Sequence, residues 1–202
     1  ELETFLRDLT TEMDNYDLQG ATEPISDFID SLTNWYIRRS RRRFWKSDSD
    51  EDKNEAYATL YYCLVKFSQI LAPFMPFVAE EIYTNLTSND SVHLSDWPAY
   101  DEDKIDLSLN QEMEFVREVV NLGHSLRSRK KVKVRQPLAK VSVALPEGVD
   151  PSLLEAQKEV ILEELNVKTL EVLKGSDDFV DIDVTVNSRV LGPKYGSRVQ
   201  EI

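Results

Sequence analysis

The apolar residues of roughly the first 130 positions recur every three or four residues in five successive segments. This spacing is typical of amphipathic helices, which bury one stripe of side chains and expose the other face to water. Such helices bury their stripes by packing against one another, so we expect a five-helix bundle over residues 1–134. The predicted helices lie at 2–13, 22–45, 52–71, within 72–86, and at 106–129.

Capping residues and prolines predict where some of these helices begin and end. Thr22 can cap the second helix, with Pro24 in the first turn, where proline is tolerated. Pro73 and Pro76 end the third helix, and a fourth restarts there because its first turn also accepts proline. Residues 87–105 are polar, and we expect an extended surface loop that a few apolar side chains hold to the bundle. These side chains are Val92, Leu94 and Trp97.

After residue 135 the pattern changes to shorter segments, some of which alternate apolar and polar residues. Their order favours at least one βαβ crossover, and hence a small α/β domain over residues 135–202. The expected fold class is therefore α+β. The predicted segments are a strand at 140–145, a helix at 151–165, and strands at 167–174 and 179–186.

The positive charge of the chain is concentrated in two short stretches. Tyr36–Lys46 and His124–Arg135 contain twelve of the 24 Lys and Arg residues and no Asp or Glu. The whole chain has 37 acidic residues and a net charge of -13. Because charges more than about 10 Å apart are largely screened at ordinary salt, a basic stretch can attract phosphate even on an acidic protein. An RNA or DNA backbone is the first partner that this distribution predicts.

The first basic stretch lies at the end of the second predicted helix. Four residues spaced three or four apart can form one exposed ridge there, with cations on phosphates and an aromatic ring on an unpaired base. The ring of Trp35 fits either this role or the core. Arg39 and Arg43 point toward the bundle instead. We expect them to form ion pairs there with carboxylates such as those of Glu80 and Glu81. The predicted nucleic-acid-binding ridge consists of Trp35, Arg38, Arg42 and Lys46.

The second basic stretch begins in the last turn of the fifth helix and continues into the linker before Gln136. Cations at the carboxyl end of a helix offset its dipole, but two or three achieve this, at about 0.3 to 1 kcal/mol each. The six cations here exceed that requirement, and their alternation with valines places charges toward solvent. We therefore expect them to contact phosphate. They are Arg127, Arg129, Lys130, Lys131, Lys133 and Arg135.

The sequence does not support other kinds of site. It has no glycine-rich phosphate loop, and His93 and His124 lack a nucleophile and an orienting carboxylate in their sequence context, so no catalytic residue is assigned. With Cys63 as the single cysteine, neither a disulfide framework nor a zinc site can be assembled. No apolar run approaches the roughly 20 residues that span a bilayer, and we expect a cytoplasmic monomer. The chain begins at Glu1, which suggests a piece of a longer protein.

Seven motifs follow one another along the chain. They are NWYIRRSRRRFW (34–45), AYATLYYCL (56–64), APFMPFVAEEIY (72–83), SVHLSDWP (91–98), VKVRQPL (132–138), ELNVK (164–168) and VLGPKYG (190–196). In this order they closely resemble the carboxyl-terminal portion of the isoleucyl-tRNA synthetases, over nearly the whole chain. The third and fourth motifs are shared in looser form with valyl and leucyl relatives, the class I synthetases with a helical anticodon-binding domain. The arginine-rich first motif, with VKVRQPL and ELNVK, favours isoleucine over valine.

The resemblance implies a division of function. In this family a catalytic domain uses ATP and magnesium to attach isoleucine to its tRNA, and an inserted domain hydrolyses misacylated valine. Neither the HIGH-type nor the KMSKS-type catalytic signature occurs in this chain, which should therefore be inert by itself and need no cofactor. Its implied role is to hold the anticodon stem and loop of isoleucine tRNA, with the catalytic domain of the same chain as its other partner. By residue match, the ridge that contains Trp35 forms one side of this grip and residues 127–135 form the other.

Two other interpretations stay open at this point. A noncatalytic RNA-binding module, or the equivalent domain of a valyl-tRNA synthetase, would carry the same charge pattern. An acidic scaffold whose arginines bind only its own carboxylates would also carry it, but would not retain RNA even at low salt. Comparing the binding of isoleucine, valine and leucine tRNAs separates these interpretations.

Overall fold

The computed structural model describes residues 1–46, 50–145 and 150–174. The chain divides into two compact units, Glu1–Leu107 and Ser108–Ile202. Helices are the regular secondary structure in the described part of the first unit, and the second combines helices with a small parallel sheet, so the predicted α+β class is confirmed. Among the described residues, no helix has both the length and the apolar character needed to cross a membrane.

Most helices of the first unit match predicted segments. The elements in chain order are α1 (Leu2–Asp14), α2 (Leu18–Asp30), a π-helical segment (Ser31–Ile37), α3 (Arg38–Lys46), α4 (Asp50–Leu71) and α5 (Pro76–Leu86), followed by 3-10 turns at Val92–Leu94 and Glu102–Lys104. The predictions for α1 and α4 are confirmed to within two residues at each end. Pro76 occupies the first turn of α5, as predicted for a helix that restarts at a proline.

The start of α2 differs from the prediction. The helix begins at Leu18, and the side chain of Asp17 caps it by accepting a hydrogen bond from the N–H of Gly20 at 2.9 Å. Thr22 lies inside the helix, where its Oγ1 donates to the carbonyl oxygen of Leu18 at 2.8 Å. The prediction of Thr22 as the cap is therefore wrong, because an earlier aspartate caps the helix through the N–H of Gly20. Pro24 consequently lies in the helix interior.

A π-helical segment, Ser31–Ile37, joins α2 to α3 and was not predicted. π-Helical segments are rare in proteins, and those that do occur often lie at functional sites. Because the helical backbone is uninterrupted from α2 through α3, the long second helix of the prediction is present. The wider π-helical turn changes the phase of its side chains in the middle. Residues before and after Ile37 therefore do not share one α-helical stripe.

The core of the first unit centres on phenylalanine rings from three helices. Phe5 of α1 stacks on Phe28 of α2, with ring centroids 4.8 Å apart and 7° between the planes. Phe67 of α4 lies tilted against Phe28 at 5.0 Å. Stacked and tilted aromatic pairs stabilise a fold by more than the burial of their apolar area would by itself. Leu6 and Ile70 are fully buried beside them, so this cluster fixes α1, α2 and α4 to one another.

An ionic network attaches the loop after α5 to helices α1 and α4. The carboxylate of Glu3 is buried and accepts hydrogen bonds from Lys66 Nζ at 2.9 Å and from the Tyr62 hydroxyl at 2.7 Å. It also accepts the backbone N–H of Asp101 at 2.7 Å. Burial raises the pKa of Glu3, but these donors outweigh burial and hold the pKa below its ordinary value. Lys66 Nζ also donates to the carbonyl oxygen of Ala99 at 2.8 Å, which fixes the loop at a second point.

Two of the three side chains predicted to hold this loop do so. Val92 is buried, and Trp97 Nε1 donates to Thr10 Oγ1 at 3.0 Å. The prediction for Leu94 is wrong, since this side chain is 81% exposed. Val92 and Leu94 lie in one 3-10 turn, where about three residues complete a turn, so positions two apart point to different sides.

The second unit contains the predicted βαβ crossover. Its elements are α6 (Leu107–Arg129), β1 (Leu138–Leu145), α7 (Ser152–Glu155), α8 (Lys158–Leu165) and β2 (Val167–Lys174). The strands pair in parallel, with Leu138 opposite Val167 and Val143 opposite Val172. The helix predicted at 151–165 is divided into α7 and α8. The further strand predicted at 179–186 lies outside the described residues.

Helix α6 groups with these elements rather than with the helices of the first unit. Gly123 of α6 lies so close to α8 that an added Cβ would stand 2.5 Å from Leu165 Cδ2, so any larger residue there would have to displace the Leu165 side chain. The predicted count of five helices in one bundle is therefore not confirmed. The two compact units divide after Leu107. The predicted domain boundary at 134, and with it the extent of the RNA-binding part, stays a prediction.

Candidate nucleic-acid interface

The packing of α3 decides which of its arginines reach solvent. Ser40 and Phe44, four residues apart, are buried, and the ring of Phe44 lies 5.0 Å from that of Tyr57 on α4. The opposite side of α3 is left exposed, since side chains on one helix face recur every three or four residues. The exposed arginines, here called the α3 basic face, are Arg38, Arg41 and Arg42.

Trp35 and Arg38 of the predicted ridge lie together. The Arg38 guanidinium lies 6.0 Å from the centroid of the Trp35 ring, and its Nε donates to the carbonyl oxygen of Asn34 at 2.7 Å. Trp35 is half-buried, and the Arg39 guanidinium lies 5.3 Å from its ring centroid. Arg39 therefore contacts the face of the Trp35 ring as a cation–π partner. The ion pair that the sequence predicts for Arg39 stays a prediction.

The other two predicted ridge residues follow along α3. Arg42 is exposed, and no described carboxylate forms an ion pair with it. Lys46 is the last residue of α3, and its side chain lies outside the described part of the chain. The Arg42 guanidinium is therefore accessible to an anion that approaches from solvent.

Arg43 forms the predicted kind of ion pair, but with a different partner. Its Nε donates to Asp52 Oδ1 at 2.7 Å, in the first turn of α4. Glu80 instead accepts hydrogen bonds from Ser91 Oγ at 3.0 Å and from the N–H of Val92 at 2.8 Å. The carboxylate of Glu81 accepts from Asn85 Nδ2 at 2.9 Å. The predicted pairing with Glu80 and Glu81 is wrong because α3 places Arg43 beside the start of α4.

Trp45 is an exposed aromatic residue that the predicted ridge omitted. Its side chain is 71% exposed, and the Arg41 guanidinium lies 5.7 Å from its ring centroid. Phe44 and Trp45 are adjacent, and neighbouring side chains on an α-helix lie about 100° apart, so one can face the core while the other faces solvent. Phe44 occupies the buried position, which leaves Trp45 beside the α3 basic face.

In the second unit, α6 ends in a Schellman motif. The N–H of Val132 donates to the carbonyl oxygen of Arg127 at 2.9 Å, and the N–H of Lys131 donates to that of Ser128 at 3.0 Å. Lys131 has a φ of 56°, in the left-handed region that this motif requires and that glycine usually fills. The chain therefore reverses sharply directly after the helix.

Arg127 is buried, with 5% of its surface exposed, and it organises this reversal. Its Nη1 donates to the carbonyl oxygens of Lys133 and Gln136, both at 3.1 Å. Its Nη2 donates to those of Leu165 at 2.6 Å and Asn166 at 3.2 Å. The predicted phosphate contact of Arg127 is therefore replaced by a structural role, because backbone carbonyls already occupy the guanidinium.

The other five cations of this stretch are exposed, and none forms an ion pair within the described ranges. They follow one another closely along the reversal that Arg127 holds. A cation on such a turn attracts anions locally even though the whole chain is acidic. These residues, here called the α6–β1 basic turn, are Arg129, Lys130, Lys131, Lys133 and Arg135.

Comparison with known proteins assigns the chain to a family. The protein-family model for the anticodon-binding domain of tRNA ligase matches residues 1–143 of the chain. The chain belongs to this family. The match includes both the α3 basic face and the α6–β1 basic turn, so each basic surface lies within a domain of this family.

Curated relatives agree with this assignment. The chain is 45% identical to an isoleucine–tRNA ligase of Protochlamydia amoebophila over 96% of its own length, and 45% identical to that of Chlamydia trachomatis serovar D over 94%. It is 43% identical to the isoleucine–tRNA ligase of Chlamydia caviae over its full length. The chain spans about a fifth of the length of these relatives, 18% to 20%. The anticodon-binding domain described here is therefore homologous to one part of the isoleucine enzymes.

Proposed function

We propose that this chain is the anticodon-binding part of an isoleucine–tRNA ligase and holds the anticodon stem and loop of isoleucine tRNA. The observation that carries the proposal is the exposure of cations at two places on a chain of net charge -13. A protein of that charge repels polyanions over most of its surface. Exposed cations can still bind phosphate, and this electrostatic attraction dominates nonspecific affinity for nucleic acids.

The two basic surfaces have different proposed roles. The α6–β1 basic turn presents several charges over a short length of backbone, which suits the regularly spaced phosphates of a stem. The α3 basic face lies beside aromatic rings, which suits a loop with unpaired bases. Lys46 and Trp35 stay in the proposed tRNA-binding set as neighbours of this face, and Arg127 leaves it.

The reaction itself is assigned to the rest of the proposed ligase. In the proposed enzyme, a catalytic domain of the same chain uses ATP and magnesium to attach isoleucine, and the anticodon-binding part positions the tRNA. Within the described residues no group of three His, Cys, Asp or Glu side chains is placed so that it could hold a metal ion. We expect this ligase to act in the cytoplasm as a monomer.

Binding measurements at several salt concentrations test the proposal. The chain should bind isoleucine tRNA more tightly than valine or leucine tRNA, with an affinity that falls steeply with salt. The double variant Arg38→Ala with Arg42→Ala should reduce the slope of log affinity against log salt by about 0.9 for each lost phosphate contact. Removing Lys104 and Lys158, which form ion pairs with Asp101 and Glu155, loses the same charge and should leave the slope unchanged.

Two results would contradict the proposal. Equal affinities for the three tRNAs would remove the isoleucine assignment and favour a general RNA-binding module. No retention of any tRNA at low salt would favour an acidic scaffold whose arginines serve only its own structure.

A further inference from the structure

Two exposed aromatic rings share one buried neighbour at the α3 basic face. The ring of Trp45 meets Phe44 edge-on, with centroids 6.4 Å apart and 85° between the planes. Tyr57 of α4 lies tilted against the same ring at 5.0 Å and is 47% exposed. Phe44 is buried and therefore fixes the positions of both partners. The two exposed rings are thus held by packing against a ring that belongs to the fold.

The aromatic surface continues along α4. Tyr61 follows Tyr57 by four residues, which places both on one face of the helix, and it is also exposed. Large aromatic side chains are usually buried, because their apolar area is unfavourable in water. Several exposed rings beside a cluster of arginines therefore indicate a surface that another molecule covers.

The charges around these rings indicate what that molecule is. The Arg41 guanidinium lies 5.7 Å from the ring centroid of Trp45, and Arg42, the next residue after Arg41, is also exposed. Proteins that bind single-stranded nucleic acid combine these two components, cations along the backbone and aromatic rings on which bases stack. A fully paired stem would use the cations and leave the rings without a partner. The combination therefore fits an unpaired RNA segment.

We propose that Trp45 and Tyr57 form a base-stacking platform for unpaired nucleotides of the anticodon loop, with Arg41 and Arg42 on the adjoining phosphates. This proposal rests on the proposed function and names residues for its loop contact. Trp35 is a weaker platform than Trp45, because it is half-buried and lies close to the Arg39 guanidinium. Its role is to support the arginines of the α3 basic face.

Binding of two RNAs to alanine variants of the 202-residue chain tests the platform. The probes are an isoleucine tRNA transcript and a blunt RNA duplex with the sequence of its anticodon stem. Trp45→Ala and Tyr57→Ala should each weaken binding of the tRNA about 10-fold and leave binding of the duplex unchanged. The salt slope should stay the same, since no charge is lost. Trp45→Phe should retain most of the affinity, because it keeps an aromatic face.

A matched control separates stacking from the loss of any exposed ring. Phe77 on α5 is 90% exposed, and Phe77→Ala should leave tRNA binding unchanged. A chain that keeps Trp45 as its only tryptophan, with Trp35→Phe and Trp97→Phe, should show quenching of its fluorescence when the tRNA binds.

The outcomes distinguish this proposal from the one on which it rests. If Trp45→Ala and Tyr57→Ala bind the tRNA within twofold of the unchanged chain, while Arg38→Ala with Arg42→Ala still lowers the salt slope, the platform is wrong and the tRNA-binding function stands. The same rings would then be the contact of a protein surface. If the chain shows no salt-dependent binding of tRNA, the proposed function and the platform both fail.

Discussion

Arg127 Nη2 donates a hydrogen bond of 2.6 Å to the carbonyl oxygen of Leu165, which joins the end of α6 to the end of α8. The same guanidinium holds the carbonyl oxygens of Lys133 and Gln136, on the other side of the reversal. One buried cation thus sets the backbone path on which exposed cations are presented. The tRNA-binding role proposed for the α6–β1 basic turn therefore depends on a residue that cannot itself reach the tRNA.

We predict that Arg127→Ala lowers the free energy of unfolding of the second unit by about 3 kcal/mol, because four backbone carbonyl oxygens, including that of the buried Leu165, lose a charged donor. Arg127→Lys should recover only part of this loss, since an ammonium group cannot match the planar fork of guanidinium donors. Hydrogen exchange of the amides in β1 and β2 measures the effect. Arg129→Ala removes an exposed arginine from the same turn and should change the stability by less than about 0.5 kcal/mol. Equal effects of the two alanine variants would contradict the assignment.

Gly123→Ala should also destabilise the second unit, by about 1 to 3 kcal/mol, although alanine is the better helix former. The reason is the 2.5 Å approach of an added Cβ to Leu165 Cδ2. In a Leu165→Ala background the same substitution should cost much less, so that the two changes are coupled in a double-mutant cycle. Ser125→Ala, at an exposed position of the same helix, serves as the control. Additive effects of Gly123→Ala and Leu165→Ala would show that the two side chains do not compete for space.

Much of the helical architecture was predictable because burial imposes a period on the sequence. The apolar stripes located α1, α4 and α5, and the alternation after residue 135 predicted the parallel pairing of β1 with β2. The start of α2 was mispredicted because Asp17 and Thr22 are both good caps, and a pattern of apolar residues does not distinguish them. The π-helical segment Ser31–Ile37 was not predicted, because the spacing of apolar residues does not distinguish a π-helical turn from an α-helical one.

The candidate site was less predictable, because a charge pattern does not show which charges are exposed. Arg127 was grouped with the exposed cations, yet at helical spacing it continues the stripe formed by the buried Val116 and Val120 and by Gly123, which lies against Leu165. That spacing was visible in the sequence. The partner of Arg43 was not, since the choice between Asp52 and Glu80 depends on how α3 packs. Trp45 was missed because Phe44, its equally apolar neighbour, takes the buried position.

The ionic network around Glu3 should make the first unit sensitive to acid. Its hydrogen-bond donors hold the pKa of Glu3 below the ordinary value of 4.5, so the ionised carboxylate contributes stability above about that pH. This stabilising contribution is lost as the pH falls through the lowered pKa, because Glu3 then becomes protonated in the folded state as well as in the unfolded state. Glu3→Gln should lower the free energy of unfolding at neutral pH by about 2 kcal/mol and flatten its dependence on pH below 4.5.

Tryptophan fluorescence during urea unfolding measures this dependence, since all three tryptophans lie in the first unit. Glu12→Gln changes an acidic residue at a half-buried position of the same helix and should preserve the acid dependence of the unchanged chain. If Glu3→Gln and the unchanged chain lose stability in parallel below pH 4.5, the network does not carry the acid sensitivity.

Lys131 occupies a backbone position that favours glycine, and we expect its charge to be the reason. Its φ of 56° lies in the left-handed region, where a side chain costs roughly 1 to 2 kcal/mol relative to the right-handed region. Lys131→Gly should therefore stabilise the second unit by up to about 1 kcal/mol, because glycine adopts this conformation without strain. If Lys131 contacts a phosphate, the same variant should bind tRNA less tightly and show a salt slope smaller by about 0.9.

Lys131→Ala separates the two effects, since it removes the charge and keeps the strained conformation. It should lower the salt slope as much as Lys131→Gly does, without the gain in stability. Hydrogen exchange of the α6–β1 region and tRNA binding at several salt concentrations give the two readouts independently. A glycine variant that is more stable and binds tRNA with an unchanged slope would mean that Lys131 makes no phosphate contact. The backbone strain at this turn would then have no role in RNA binding.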